Sequence, residues 1–126
     1  YGAACPDCIA TSIKDLQQKM QDSMWGFVNK PLGDGFSHIL HNWSQMNKPV
    51  IVNYPDYRDK LAGDFLIPDK TCIDLTDRDT AISKIREYSE PERYAELCAN
   101  MKQAWKEAVD YEREAESLRI FFSNLD

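Results

Sequence analysis

Apolar positions near the start of the chain recur at helical spacing: Ile9, Ile13, Leu16 and Met20 form one stripe, with Lys14, Asp15, Gln17, Gln18 and Lys19 opposite. This predicts an amphipathic helix from about Thr11 to Ser23, with Thr11 or Ser12 as its N-cap. The pattern then changes. Trp25 to Asn29 is a short apolar run suited to a buried strand, Gly33-Asp34-Gly35 interrupts it, and Phe36 to Met46 resumes helical spacing. Asn47 stands at the left-handed position that follows a helix, Pro49 stops further helix, and Val50-Ile51-Val52 is a β-branched triplet fit for a buried parallel strand. Asn53 to Tyr57 is turn-rich, and Arg58 to Gly63 has room for only a brief helix. Phe65-Leu66-Ile67, stopped by Pro68, and Cys72-Ile73-Asp74-Leu75 read as two more short strands.

The remainder is helical. Ala81, Ile82 and Ile85 mark one helix, and Ser89-Glu90-Pro91-Glu92 has the form of a capping box that opens another, with Leu97, Cys98, Met101, Trp105 and Ala108 on its apolar stripe. Tyr111 to Glu116 is a charged surface helix, and Leu118, Phe121, Phe122 and Leu125 either continue it or turn back across the domain. Helix, strand, helix, strand, short helix, strand, strand and helices is the order of an α/β chain. The expected fold is a three-layer, half-Rossmann-like parallel sheet of three to five strands with a long helical C-terminal tail from about residue 79, all in one domain spanning 1–126.

Composition narrows the function. With 15 Lys and Arg against 21 Asp and Glu the chain carries a net charge of −6, and no basic block is interleaved with aromatics, so duplex nucleic acid is not an expected partner. No apolar run is long enough to span a bilayer, and no signal-peptide pattern opens the chain. Because it begins at Tyr1, further sequence is expected upstream. Cys5-Pro-Asp-Cys8 has the spacing of a zinc or redox pair, but Cys72 and Cys98 are isolated from one another, so reduced cysteines in a cytoplasmic protein, free or peripheral to a membrane, are the expectation.

The central unit, Trp25 to Val52, carries the candidate chemistry. In a parallel βαβ unit the loop after the first strand faces the N-terminus of the next helix, where free amides and the helix dipole favour an anion, so phosphate binding is expected there. His38 and His41 are three apart on that helix, but with no third ligand in view no metal site is expected. One of the two is read as a hydrogen-bonding group at the loop and the other as a partly buried packing residue. Trp25, Phe27 and Trp43 are read as core rather than as platforms for a sugar. Asp34 alone is also compatible with a simple turn and cap.

The run from Lys30 to Asn42, KPLGDGFSHILHN, followed by Met46-Asn47-Lys48-Pro49-Val50-Ile51, resembles the donor-site segment of GT-B glycosyltransferases. There an acidic residue, a glycine loop and a helix lead to a second acidic residue, and a Gly-x-Pro-Val-Ile strand entry follows. Asp34 and Asn42 match the two ends, with Asn42 in place of the usual Glu and Asn47 in place of the usual Gly. The resemblance implies that this chain is the second half of a donor-binding domain. Lys30, Gly33, Asp34, Gly35, Phe36, Ser37, His38 and Asn42 would then hold a nucleotide-sugar donor. The amides of Phe36, Ser37 and His38 would meet the diphosphate, Asp34 the sugar, Asn42 the ribose, and Lys30 would add a cation. The nucleotide-sugar is a substrate, and neither a cofactor nor a metal is implied. No catalytic residue is assigned within this chain. The resemblance also implies a partner domain or chain upstream that supplies the acceptor site, and no turnover by this part alone. Two other classes fit the same residues: a nucleotide- or phosphate-binding module without catalysis, and an interaction domain that uses its helical tail or open sheet edge.

Overall fold

The computed structural model describes residues 10–33 and 35–125. Three short parallel strands, β1 (Gly26–Val28), β2 (Val50–Val52) and β3 (Cys72–Asp74), pair in the order β1-β2-β3, with Gly26 opposite Val50 and Val50 opposite Cys72. β2 is paired along both edges and buried on both faces, which is the environment its Val-Ile-Val triplet suits. Because successive side chains point to opposite faces, β2 also divides the interior. Val50 and Val52 join Val28 and Cys72 in one core, whereas Ile51 joins Ile73 in another.

Helices cover both faces. The first core receives Met20 from α1 (Ile13–Asp22), Leu40 and Trp43 from α2 (His38–Gln45), and Met101 and Ala104 from α4 (Pro91–Ala108). The second receives Ala81, Ile85 and Tyr88 from α3 (Arg78–Tyr88). A last helix, α5 (Tyr111–Ser123), completes a helical C-terminal region that begins at Arg78. A mixed α/β chain with a small parallel sheet is therefore present, and no helix among the described residues is long and apolar enough to cross a membrane.

Local chemistry accounts for several boundaries. The Ser12 side chain caps α1 by accepting the Asp15 N–H at 3.1 Å. Asn47 adopts φ 56° at the end of α2, where its N–H donates to the Ser44 carbonyl at 2.9 Å and the Lys48 N–H to the Trp43 carbonyl at 3.0 Å. This is the paired closure in which Asn replaces Gly. Gly26 is required for a different reason: a β-carbon there would lie 2.6 Å from the Trp43 ring, which seals β1 against α2.

Four expectations need correction. Ile13 is 77% exposed, because the first turn of α1 lies beyond the core that buries Met20; Ile9 lies outside the described residues. Phe27 is 65% exposed rather than core, since its side chain faces the second core from an edge strand while α3 reaches only the Ile51 and Ile73 positions. Phe65-Leu66-Ile67 is not a strand. Phe65 and Leu66 plug the first core at 0% and 1% exposure, and the buried Thr71 hydroxyl supplies the backbone partners a ladder would have given: it donates to the Phe65 carbonyl at 2.7 Å and accepts the Ile67 N–H at 2.7 Å. Burying two such side chains is worth about 1.5–3 kcal/mol each, more than the roughly 1 kcal/mol net of each ladder bond forgone. Finally, Ser89 does not open α4. It ends α3 in helical geometry and donates its hydroxyl to the Ile85 carbonyl at 2.6 Å, while Glu90 takes the N-cap position without a side-chain bond and Pro91 begins the helix. With only Ser89 and Glu90 between the two helices, one serine cannot serve both ends.

The Gly26 contact gives a direct check. Gly26→Ala should destabilise the fold by about 1–3 kcal/mol in urea denaturation, as forced overpacking does, whereas Gly35→Ala, with no atom within 4 Å of the new carbon, should stay within about 0.5 kcal/mol of the parent. Equal effects at the two glycines would mean that Trp43 does not seal β1.

Candidate functional site

The carboxyl edge of a parallel sheet is where its loops converge, and the candidate residues gather there. β1 runs into a tight turn in which the Gly33 N–H donates to the Lys30 carbonyl at 2.9 Å. Pro31 sets the first central position and Leu32 takes the second at φ 66°, a conformation usually reserved for Gly or Asn. Gly33 follows at φ 62°, packed so closely on the Asp56 carbonyl that a β-carbon could not be accommodated. Gly35 instead borders open space. The first glycine is thus a folding requirement and the second is not.

Ser37 ends the loop as the N-cap of α2. It is 97% buried in effect, with 3% exposure, and takes a left-handed conformation at φ 54°. Its carbonyl accepts the N–H groups of Leu40 at 3.0 Å and His41 at 3.2 Å, but its hydroxyl makes no cap and no hydrogen bond among the described residues. α2 therefore presents the first-turn amides of His38 and Ile39 toward the loop without a capping side chain from Ser37. The structure thus brings Lys30, Gly33, Gly35, Phe36 and Ser37 together on one loop that leads into His38, the first residue of α2, with Asn42 exposed one turn farther along the helix. Asp34 lies outside the described residues, as do Cys5 and Cys8.

The two histidines differ in burial. His38 is exposed, in edge contact with Phe36 at 4.8 Å. His41 is buried beneath Phe36, whose ring stacks on it at 4.2 Å and 10°, and it meets Phe65 edge-on at 5.0 Å. The Trp105 indole N–H donates to His41 Nδ1 at 3.3 Å, which places the proton of the neutral imidazole on Nε2. Burial, with the nearby charge of His38, pulls the His41 pKa below its usual value, while the Phe36 backbone and the charge of Glu114 pull the other way.

Neighbouring loops contribute residues that pattern reading passed over. At the end of β3, Asp74 accepts the Tyr54 N–H at 3.2 Å and the Thr76 hydroxyl at 2.7 Å; at the end of β2, the Asn53 amide donates to Asp56 at 2.6 Å. These bonds tie the turn after β2 to the end of β3 and place Asp56 against Gly33. The available signal was an Asn or Asp directly following each apolar triplet or pair, at the edge where such loops meet. Burial pushes the Cys72 thiol up to about 12 and also raises that of Cys98, so both stay protonated near neutral pH and are poor nucleophiles. Among the described residues no group of three His, Cys, Asp or Glu side chains is arranged to hold a metal ion.

Comparison with protein-family models, with curated proteins and with solved structures finds no match to this chain.

The state of His41 sets a pH dependence whose direction follows from its lowered pKa. As pH falls through the ordinary value of 6.5, the unfolded chain takes up a proton that the folded chain resists, so stability declines below that point. His41→Phe keeps a ring under Phe36 and should reduce the loss of stability measured by urea denaturation between about pH 7.5 and about 5.5. An unchanged slope would place the responsible titration elsewhere.

Proposed function

We propose that this chain is the donor-binding part of a glycosyltransferase of the GT-B kind, a Rossmann-like half domain that receives a nucleotide-activated sugar at the Gly33 to His38 loop. The observation that carries the reading is a glycine loop at the carboxyl end of β1, leading within a parallel β1–α2–β2 unit into a helix whose N-cap serine is buried with an unpartnered hydroxyl. First-turn amides and the helix dipole suit a diphosphate, and Gly35 leaves the backbone open to close approach. Lys30 stands at the start of the same turn, and Asn42 is exposed on the helix at the position assigned to the ribose.

The mechanism that fits is electrostatic. Amides fixed by the fold before the donor arrives would stabilise the departing diphosphate, with no reorganisation needed as charge develops on it. Asp34 would accept hydrogen bonds from sugar hydroxyls and so orient the ring. The acceptor and the base that activates it would come from the complementary lobe. Asn42 offers the ribose a neutral hydrogen bond, weaker than a charge-assisted one.

Two measurements test this. Titration of the chain with a nucleoside diphosphate, followed by backbone NMR, should shift the amides of residues 35–38, and Gly35→Val should abolish the response while leaving the fold intact, because open space surrounds that position. Absence of shifts with every nucleoside diphosphate would remove the basis of the proposal. In the complete transferase, Asp34→Ala should lose turnover per folded molecule, whereas Asn42→Glu should preserve or tighten donor binding by restoring a carboxylate at the ribose. Full activity in Asp34→Ala would reduce that residue to a turn former.

A further inference from the structure

α5 is exposed along its whole length, from Tyr111 to Ser123. Its start is fixed: Asp110 caps it by accepting the Arg113 N–H at 3.0 Å, and Tyr111 meets Trp105 of α4 edge-on with ring centres 6.3 Å apart. Yet its side chains are not those of a helix meant only for water. Tyr111, Ala115, Leu118 and Phe122 follow one another at intervals of four, three and four, the spacing of a helix-pairing seam, and Phe121 borders the same face. Tyr111, Leu118, Phe121 and Phe122 are each more than half exposed, as is Leu125 just past the end of the helix. Among the large apolar residues of α5, only Ile120 falls outside this face by helical phase.

Area and charge together select the occupant. With about 150–250 Å² for each aromatic side chain, the exposed part of the stripe is on the order of 500 Å², so two copies together reach the roughly 1,000 Å² that a specific interface must clear. Glu112, Glu114 and Glu116 outnumber Arg113 and Arg119, so α5 lacks the basic face that draws an amphipathic helix onto an anionic membrane. We propose that this face binds the same face of a second copy of the chain, with the two α5 helices antiparallel about a two-fold axis at the level of residues 116–117. In that register Ala115 lies opposite Leu118 of the second copy and Tyr111 opposite Phe122, so small meets large in the central layers and ring meets ring at the ends. Glu112 of each copy then flanks Arg119 of the other. Arg119 otherwise pairs with Glu116 on its own helix at 3.1 Å, an exposed contact that is worth little and open to exchange. A parallel pairing would instead set Ala115 against Ala115, leaving a void between larger layers, and would bring the acidic first turns together. The interface uses no residue of the Gly33 to His38 loop, so it stands or falls separately from the donor-site reading.

Sedimentation equilibrium of the whole chain between about 5 and about 500 μM should show monomer and dimer in exchange, with a Kd on the order of 10–100 μM for an interface at the small end of the specific range. Leu118→Glu, at an exposed position, should raise that Kd more than tenfold while leaving helicity and the urea midpoint of the dilute protein unchanged. Glu112→Arg and Arg119→Glu should each weaken the dimer several-fold, and the two together should restore it, because the antiparallel register again sets opposite charges side by side. A chain that stays monomeric throughout this range would overturn the proposal, as would a dimer indifferent to Leu118→Glu. Failure of the double change to restore the dimer would overturn the antiparallel pairing. A monomer that sediments with phosphatidylcholine or phosphatidylserine vesicles, and loses this with Leu118→Glu, would assign the face to a membrane instead.

Discussion

Everything in this fold depends on β2 being buried from both sides. A three-residue strand has few backbone bonds of its own, and it holds its place because Val50 and Val52 have 0% exposure and Ile51 has 8%. Two apolar surfaces meet at its backbone, and the strands on either edge are set in register by it. Removing side-chain volume from β2 would loosen both cores at once, whereas α1 or α3 each touch only one. The loop that carries the candidate site hangs from this arrangement, since Gly33 is positioned against Asp56 just beyond the end of β2.

The parts of the fold that were legible in the sequence are those where one local preference faced no competitor. The β-branched triplet at Val50 became a strand, Asn47 took the left-handed position after α2, and Ser12 capped α1. The misreadings arose where two local solutions competed and long-range packing chose. Phe65 and Leu66 have strand propensity, but the core needed a plug and Thr71 offered substitute hydrogen bonds. Ser89 matches a capping box, but the helix before it had the nearer claim. Phe27 has the right residue type for a core, and its fate was decided by which neighbour happened to cover the edge.

The candidate site was partly legible in the same sense. A glycine-containing loop between strand and helix is a local pattern, so its placement followed from the order of elements. What could not be read was which glycine matters for which purpose, because the crowding at Gly33 comes from Asp56, more than twenty residues away. The ring cluster at His41 draws on Phe36, Phe65, Trp105 and Tyr111, residues whose common location is a product of the tertiary fold alone.

The sheet has two outer strands, β1 and β3, and neither finds a further strand among the described residues. An unpaired strand edge is a template for adventitious pairing, and Phe27 adds an exposed aromatic ring at one of them. The brevity of these strands then acquires a protective meaning. Three residues present too short a row of amides and carbonyls to recruit a neighbouring molecule into an extended β-stack, so the same economy that leaves β2 dependent on its side chains also guards the chain against amyloid-like growth.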